Sequence, residues 1–357
     1  MACEFYQNKK RQILLFINLP VSMKFLINFL KGFALLLIAL FIVYKLGPKP
    51  AAPNFAKPVF KNTLSLSELE NKINNDENTV PHIKPECHAR IVWNDTTHKV
   101  KTKYSVLYLH GFSASRYEGQ PVDEDIAKSI HANIYEARLI EHGIDNGDTT
   151  MIHFTAENYY QSGEAAINIA EQLGDSVIVI GTSGGGSLAL FLAARHPEIK
   201  SLIVYSPAVR IFRRDAALLA EPWGLQIARA VTGKNYNSWH FKNPEEAKYW
   251  VNPYDFQAAV QFGVFLKYAM TPETFEKIKC PTFVGYYYQD EQHQDNTVSV
   301  AAIKEMFQEL GTPESLKRAV DFPKSNAHVL ACELVSGDWQ NVENETRKFL
   351  TETVNVK

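Results

Sequence analysis

Ser183 is the residue whose surroundings best suit nucleophilic chemistry. It occupies the pattern Gly181-x-Ser183-x-Gly185, which follows the apolar run Val177–Ile180 and precedes apolar residues at helical spacing. The run predicts a buried strand and the spacing predicts a helix. A tight turn between them strains its central residue and favours glycine beside it. The helix would aim N–H groups and its dipole at an oxyanion on the serine. We predict a nucleophile here; the alternative is a glycine-rich turn that only packs or binds a phosphate.

A reactive serine needs a base within hydrogen-bond reach, and that base needs a carboxylate to fix its tautomer. His328 is the predicted base, because it lies in a loop between the last predicted strand and the last predicted helix. Asp290 and Asp295 are the candidate acids. Both follow the predicted strand Thr282–Tyr288, Asp290 nearer the strand and Asp295 nearer the next helix. Distance along the chain leaves this choice open.

Alternating strand and helix patterns from residue 89 to about 350 supply the elements that must position these residues. Strands are predicted at Ala89–Trp93, Tyr104–Leu109, Asn133–Leu139, Val177–Ile180, Ser201–Tyr205, Thr282–Tyr288 and Leu316–Phe322. Helices are predicted at 66–73, 121–132, Thr155–Leu173, from Ser183 onward, Val298–Leu310 and Asp338–Thr351. This alternation predicts an α/β fold, with a mostly parallel sheet and helices on both faces.

Residues 207–275 interrupt the alternation and are too long for a plain connection. They are dense in aromatic residues: Trp223, Tyr236, Trp239, Trp250, Tyr254, Phe256, Phe262, Phe265 and Tyr268. These side chains either form the insertion's own core or line an apolar pocket as a cap over the site.

Taken together, the motifs resemble the α/β-hydrolase superfamily, and within it the carboxylesterase and monoacylglycerol-lipase-like branch of serine hydrolases. The matching pieces are Leu109-His110-Gly111-Phe112-Ser113-Ala114-Ser115, Glu141-His142-Gly143, Gly181-x-Ser183-x-Gly185, Asp295-x-x-Val298 and Asn326-Ala327-His328-Val329. They cover about residues 103–350. The resemblance implies an α/β-hydrolase fold with a helical cap.

The resemblance also implies roles for individual residues. The chain order serine, acid, histidine assigns Ser183 and His328, and the acid lies shortly before a helix with a valine three positions on, which favours Asp295 over Asp290. The oxyanion donors would be the backbone N–H groups of Phe112 and Gly184. No cofactor and no metal site are expected.

An apolar segment near the N-terminus, Phe25–Tyr44, predicts a membrane helix or a signal sequence. A membrane anchor is favoured, because no small-residue cleavage site follows it. Basic residues at Lys9, Lys10, Arg11 and Lys24 would keep the N-terminus cytoplasmic and the hydrolase domain on the exported side. Met23 offers a second translation start.

We divide the chain into five predicted segments. Residues 1–46 are the basic segment and anchor, and 47–88 a proline-rich linker with a peripheral segment. Residues 89–206 and 276–357 form the two parts of the hydrolase core, and 207–275 the cap.

Composition limits the function classes. A net charge of −2 and a pI near 6.6 give no basic surface for nucleic acid. The four cysteines show no metal-ligand spacing and are expected to be free thiols, with at most one incidental disulfide. We predict a serine hydrolase for carboxylic esters with an apolar moiety, acting on a small-molecule ester or lipid. A peptide, amide or thioester hydrolase is an alternative, as is a non-catalytic, membrane-tethered binding protein on the same scaffold.

Overall fold

The computed structural model describes residues 23–60 and 64–356, so the basic residues Lys9 to Arg11 lie outside the described part. The chain divides into two units, Met1–Pro48 and Lys49–Lys357. The first unit contains helix α1 (Met23–Lys45). The structure describes every residue of α1, and none of them is buried. By length and composition α1 could cross a membrane, although a signal sequence would meet the same criteria.

The second unit is built on a seven-stranded sheet. Its strands are β1 (Arg90–Val92), β2 (Thr102–Leu109), β3 (Asn133–Glu136), β4 (Gly174–Thr182), β5 (Ser201–Tyr205), β8 (Thr282–Tyr286) and β9 (Lys317–Asp321). They lie in the order β1-β3-β2-β4-β5-β8-β9, with β1 antiparallel and every other pair parallel. Two short strands, β6 (Tyr236–Asn237) and β7 (Tyr254–Asp255), pair separately within the insertion.

Helices cover both faces of this sheet, and the insertion adds others. The helices of the second unit are α2 (Leu66–Thr79), α3 (Val122–Ser129), α4 (Ala156–Leu173), α5 (Ser183–Ala193), α6 (Gly224–Thr232), α7 (Phe256–Ala269), α8 (Pro272–Lys277), α9 (Val300–Glu309) and α10 (Trp339–Glu352). Short 3-10 helices lie at Arg116–Gly119, Gly147–Thr149, Arg214–Ala220, Pro244–Lys248 and Glu314–Leu316.

Strand β4 shows why both faces of the sheet must be covered by helices. Side chains alternate between the two faces along a strand, and nearly all the apolar side chains of β4 are buried. Val179 packs with α4, α5 and α9 in one apolar core. Ile178 and Ile180 belong to a second core with α3 and α10 on the opposite face. The mostly parallel, doubly covered sheet expected from the alternation is therefore confirmed, with strand ends within a few residues of those predicted.

Phe55 gives the proline-rich linker a contact that the sequence did not predict. Its ring lies 4.9 Å from the Phe191 ring, 5.4 Å from Tyr160 and 5.9 Å from Phe265, measured between centroids. Arg195 donates a hydrogen bond to the Phe55 carbonyl at 2.6 Å. The predicted proline-rich linker is thus attached to the domain at this residue, because an aromatic ring gains free energy by leaving water.

Residues 64–79 also differ from the peripheral segment that we expected. Helix α2 extends six residues beyond the predicted end, and its side chains Leu69 and Ile73 are buried in the main core. Glu77, near its end, accepts hydrogen bonds from Arg138 at 2.8 and 2.9 Å and from the Ala89 N–H at 2.9 Å. The ion pair between Glu77 and Arg138 therefore stabilises the end of this helix, where the polar sequence shows no apolar periodicity.

Candidate active site

Ser183 stands at the junction of β4 and α5, with a left-handed backbone (φ +52°). The glycines around it are required by close backbone contacts. A Cβ on Gly185 would lie 2.0 Å from the Leu109 carbonyl oxygen, and one on Gly181 would lie 2.6 Å from the Gly185 carbonyl oxygen. The Gly185 contact joins the end of β2 to the serine turn, as expected because β2 and β4 are neighbours in the sheet.

His328 joins the serine to one of the two candidate acids. Its Nε2 lies 2.9 Å from Ser183 Oγ, and its Nδ1 lies 2.5 Å from Asp295 Oδ2. The other Asp295 oxygen accepts the backbone N–H groups of Thr297 and Val298 at 2.8 and 3.1 Å. The structure thus brings together Ser183, His328 and Asp295.

Asp290 faces away from this group. Its carboxylate is paired with the His293 ring at 2.9 Å, and its side chain is 51% exposed, whereas the Asp295 side chain is fully buried.

The charges in the group stabilise one another. Burial opposes protonation of His328, but the charge and hydrogen bond of Asp295 outweigh it and raise the pKa of the imidazole above its ordinary value. Burial likewise opposes ionisation of Asp295, yet the His328 charge and the backbone donors hold the pKa of that carboxyl below its ordinary value. An imidazolium formed at His328 would therefore be stabilised by a carboxylate that stays ionised.

His110 fixes the peptide that carries the first predicted oxyanion donor. Its Nε2 accepts the Leu139 N–H at 3.1 Å, so Nδ1 bears the proton and donates to the Gly111 carbonyl at 2.9 Å. Burial lowers the pKa of His110 to about 4, which keeps the ring neutral. Because a trans peptide points its C=O and N–H in opposite directions, this bond orients the Phe112 N–H away from His110.

The second predicted donor lies beside the first. Gly184 is in the first turn of α5, where backbone N–H groups have no partner within the helix. A Cβ built on Gly184 would lie 3.0 Å from the Phe112 nitrogen. The two N–H groups therefore lie close together, next to Ser183.

Aromatic side chains surround the Phe112 ring. Phe262 stacks on it at 4.7 Å, and Tyr254 and Phe154 approach it edge-on at 5.1 and 5.3 Å between centroids. Tyr254 and Phe262 come from the insertion, so two of the nine aromatic residues noted in the sequence contact the Phe112 ring. Phe265 instead packs between helices, 5.1 Å from the Tyr159 ring, while Tyr268 is 46% exposed.

One group of metal-ligand residues occurs elsewhere in the described part of the chain. Ligand atoms of Glu171, His196 and Glu198 lie within 4.8 Å of one another. Both ring nitrogens of His196 already have carboxylate partners, Glu164 at 3.0 Å and Glu198 at 2.7 Å. The group is accounted for as an ion-pair network. Cys87, Cys280 and Cys332 are free thiols, and Cys3 lies outside the described residues.

Glu118 is a residue near the site that the sequence did not reveal. It is buried, and its carboxylate accepts the Gly111 N–H. A lone glutamate in a polar stretch carries no signal that distinguishes a buried side chain from a solvated one.

Comparison with known proteins adds the following. No family model matches the chain. It is 26% identical to a thermostable monoacylglycerol lipase from Bacillus sp. (strain H-257) over 188 residues, which are 53% of this chain and 70% of that enzyme. A solved structure of a metagenome-derived lipolytic enzyme, described with LipS and LipT, matches with a TM-score of 0.61 at 18% identity, covering 76% of this chain and 99% of that one.

A soluble variant of the monoglyceride lipase from Saccharomyces cerevisiae matches with a TM-score of 0.55 at 12% identity, over 74% of this chain and 91% of that one. At these identities the solved structures establish the fold, and the sequence match points to the same group of enzymes. The chain therefore has the α/β-hydrolase fold, and it is similar to lipolytic enzymes in both sequence and structure.

Proposed function

We propose that this protein is a serine hydrolase that cleaves carboxylic esters with an apolar moiety through an acyl-enzyme. Ser183 is the nucleophile, His328 the general base and Asp295 the acid that orients it. The observation that carries the proposal is the continuous hydrogen-bonded path from Ser183 Oγ through both ring nitrogens of His328 to Asp295. The similarity to esterases and lipases supports ester hydrolysis in the broader sense.

The mechanism follows from these positions. His328 Nε2 takes the Ser183 hydroxyl proton while Oγ bonds to the ester carbonyl carbon, and the Asp295 carboxylate stabilises the resulting imidazolium. The negative charge develops on the carbonyl oxygen, beside the Phe112 and Gly184 N–H groups. The oxyanion then re-forms the carbonyl, and the alkoxide leaves with the proton from Nε2. Water, activated by the same base, releases the acid and regenerates Ser183.

The substrate class is proposed from the surroundings of Phe112. Segment 207–275 acts as a cap, and its residues Tyr254 and Phe262 place apolar rings against Phe112. The sequence relative is by name a monoacylglycerol lipase, so a lipid ester with one acyl chain is the substrate that we favour. In the full protein, α1 would hold the hydrolase domain at a membrane, on its exported side.

Active-site labelling tests the proposal. The purified protein should react with a fluorophosphonate probe at Ser183 and hydrolyse p-nitrophenyl esters of graded acyl length. Ser183→Ala should remove labelling and lower kcat by several orders of magnitude with the fold intact. A matched control is Ser162→Ala on α4, whose hydroxyl donates to the Tyr159 carbonyl; this variant should label normally.

Each contrary outcome selects one of the alternatives. Labelling without ester turnover, combined with cleavage of amide or thioester substrates, would replace the ester assignment. No labelling and no turnover in a folded protein would favour a binding protein on this scaffold. Ester turnover near the normal rate in Ser183→Ala would exclude Ser183 as the nucleophile.

A further inference from the structure

A buried carboxylate lies next to the loop of residues 110–115 between β2 and the following 3-10 helix, here called the oxyanion loop, and outside the Ser183, His328 and Asp295 group. Glu118 is in the 3-10 helix Arg116–Gly119, directly after the loop, and is 2% exposed. Its Oε2 accepts the Gly111 N–H. A Cβ built on Gly111 would lie 2.8 Å from Glu118 Oε1 and 3.1 Å from Ser183 Cβ, so the carboxylate and the serine flank the same backbone atom.

Burying a carboxylate is unfavourable unless hydrogen bonds and charges compensate for the lost water. Burial raises the pKa of Glu118 to about 7, while the Gly111 N–H, the His328 charge and the Trp250 side chain oppose that rise. The phenols of Tyr108 and Tyr159 also feel its charge, and burial raises the pKa of both well above the ordinary value. One of the three groups that favour the ionised form, His328, belongs to the proposed reaction machinery, and a second, Gly111, directly precedes the proposed oxyanion donor Phe112.

Gly111 is held at both of its polar groups. Glu118 receives its N–H, and the His110 ring donates to its C=O. With both ends fixed, the peptide between Gly111 and Phe112 has one orientation, which directs the Phe112 N–H. Releasing the N–H end would let this glycine rotate, because glycine has no Cβ to limit its backbone.

We propose that Glu118 is a positioning residue of the reaction: its carboxylate holds the Gly111 N–H and thereby keeps the Phe112 N–H aimed at the developing oxyanion. This inference rests on the proposed function. Glu118 does not touch the reacting atoms in this arrangement. It acts through the loop, so its removal should weaken transition-state stabilisation more than substrate binding.

Three substitutions separate this role from a purely structural one. Glu118→Met keeps the volume but loses the acceptor, and should lower kcat about 10- to 100-fold with KM changed less than about twofold. Glu118→Gln keeps an amide oxygen that can accept the Gly111 N–H, and should retain kcat within about threefold. Glu118→Asp keeps the charge but shortens the side chain, and should lose kcat as Glu118→Met does. If Glu118→Met does not fold, the Gln and Asp pair carries the comparison.

Glu77 provides a matched control, because it is also a buried glutamate that accepts a backbone N–H, from Ala89. Glu77→Gln and Glu77→Met should lower the melting temperature and leave kcat unchanged. A kcat for folded Glu118→Met within twofold of the normal value, or equal losses in the Gln and Met variants, would overturn the inference. Ser183→Ala is assayed in parallel. If Ser183→Ala loses turnover but Glu118→Met does not, this inference fails and the proposed function stands. If Ser183→Ala keeps turnover, the proposed function itself fails.

Discussion

Asp295 and Asp290 lie five residues apart in one loop, and the course of that loop explains why only one reaches His328. After β8 the chain forms a closed turn, in which the Gln289 N–H donates to the His293 carbonyl. It then returns to the strand end, where the Asp295 N–H donates to the Tyr287 carbonyl at 3.1 Å. The later aspartate therefore lies nearer the sheet edge than the earlier one.

This arrangement predicts opposite results for two similar substitutions. Asp295→Asn should lose most of its kcat, since the analogous change in a serine protease, a known reference case, lowered kcat about 10⁴-fold by favouring the wrong histidine tautomer. Asp290→Asn should retain kcat within about twofold, because its partner is the exposed His293. Steady-state kinetics on a p-nitrophenyl ester measures both. Equal losses in the two variants would contradict the assignment of Asp295.

In the proposed mechanism, the raised pKa of His328 sets the acid limb of the pH profile of activity. Only neutral His328 can accept the serine proton, so kcat/KM falls as the pH drops through the pKa of the imidazole. Asp295 raises that pKa above its ordinary value of 6.5. As the pH is lowered, kcat/KM should therefore reach half of its maximum at a pH above 6.5. A pH series of kcat/KM from 5 to 9 measures the midpoint, with Asp290→Asn as a control whose profile should not move. A flat profile across this range would exclude His328 as the base.

At the scale of elements, the proline-rich linker is attached at one aromatic side chain. Phe55→Ala should lower the free energy of unfolding by about 1–3 kcal/mol, less than for a fully buried phenylalanine, because the ring is only partly buried. Thermal unfolding measures the change, and kcat should stay within about twofold. Phe60→Ala removes a ring that is 40% exposed, and should change the melting temperature little. Equal melting temperatures for the two variants would mean that Phe55 contributes nothing.

The elements also show what the sequence could and could not reveal. Strands such as Ser201–Tyr205 and the start of α4 after its cap Thr155 were predictable, because apolar runs and capping residues are local signals. The Phe55 contact could not be predicted, because it depends on a single aromatic ring. The end of α2 could not be predicted either, because it depends on Arg138, which is distant in the sequence. The nearest neighbours of Ser183 follow from the resemblance, whereas Glu118 needed the three-dimensional arrangement. A tertiary contact made by a single residue produces no periodic pattern in the sequence.

At the scale of the whole molecule, we expect α1 to determine location and not turnover. Deleting residues 1–50 should give an active enzyme in the soluble fraction, because the site and Phe55 lie entirely in the second unit. The full chain should sediment with membranes and resist extraction with alkaline carbonate. Deletion through residue 60 is the companion variant, and should be active but less stable because it lacks Phe55. Finding the full chain soluble, with its N-terminus intact, would refute the anchor.

The left-handed backbone at Ser183 lowers the stability of the fold at the residue that the proposed reaction needs. A residue with a side chain in that region costs about 1–3 kcal/mol, a sizeable part of the roughly 5–15 kcal/mol that keeps a protein folded. Glycine would relieve that cost, and only part of the gain would be offset by the greater freedom of glycine in the unfolded chain. Ser183→Gly should therefore give a protein that is more stable than the natural one and, under the proposed mechanism, inactive.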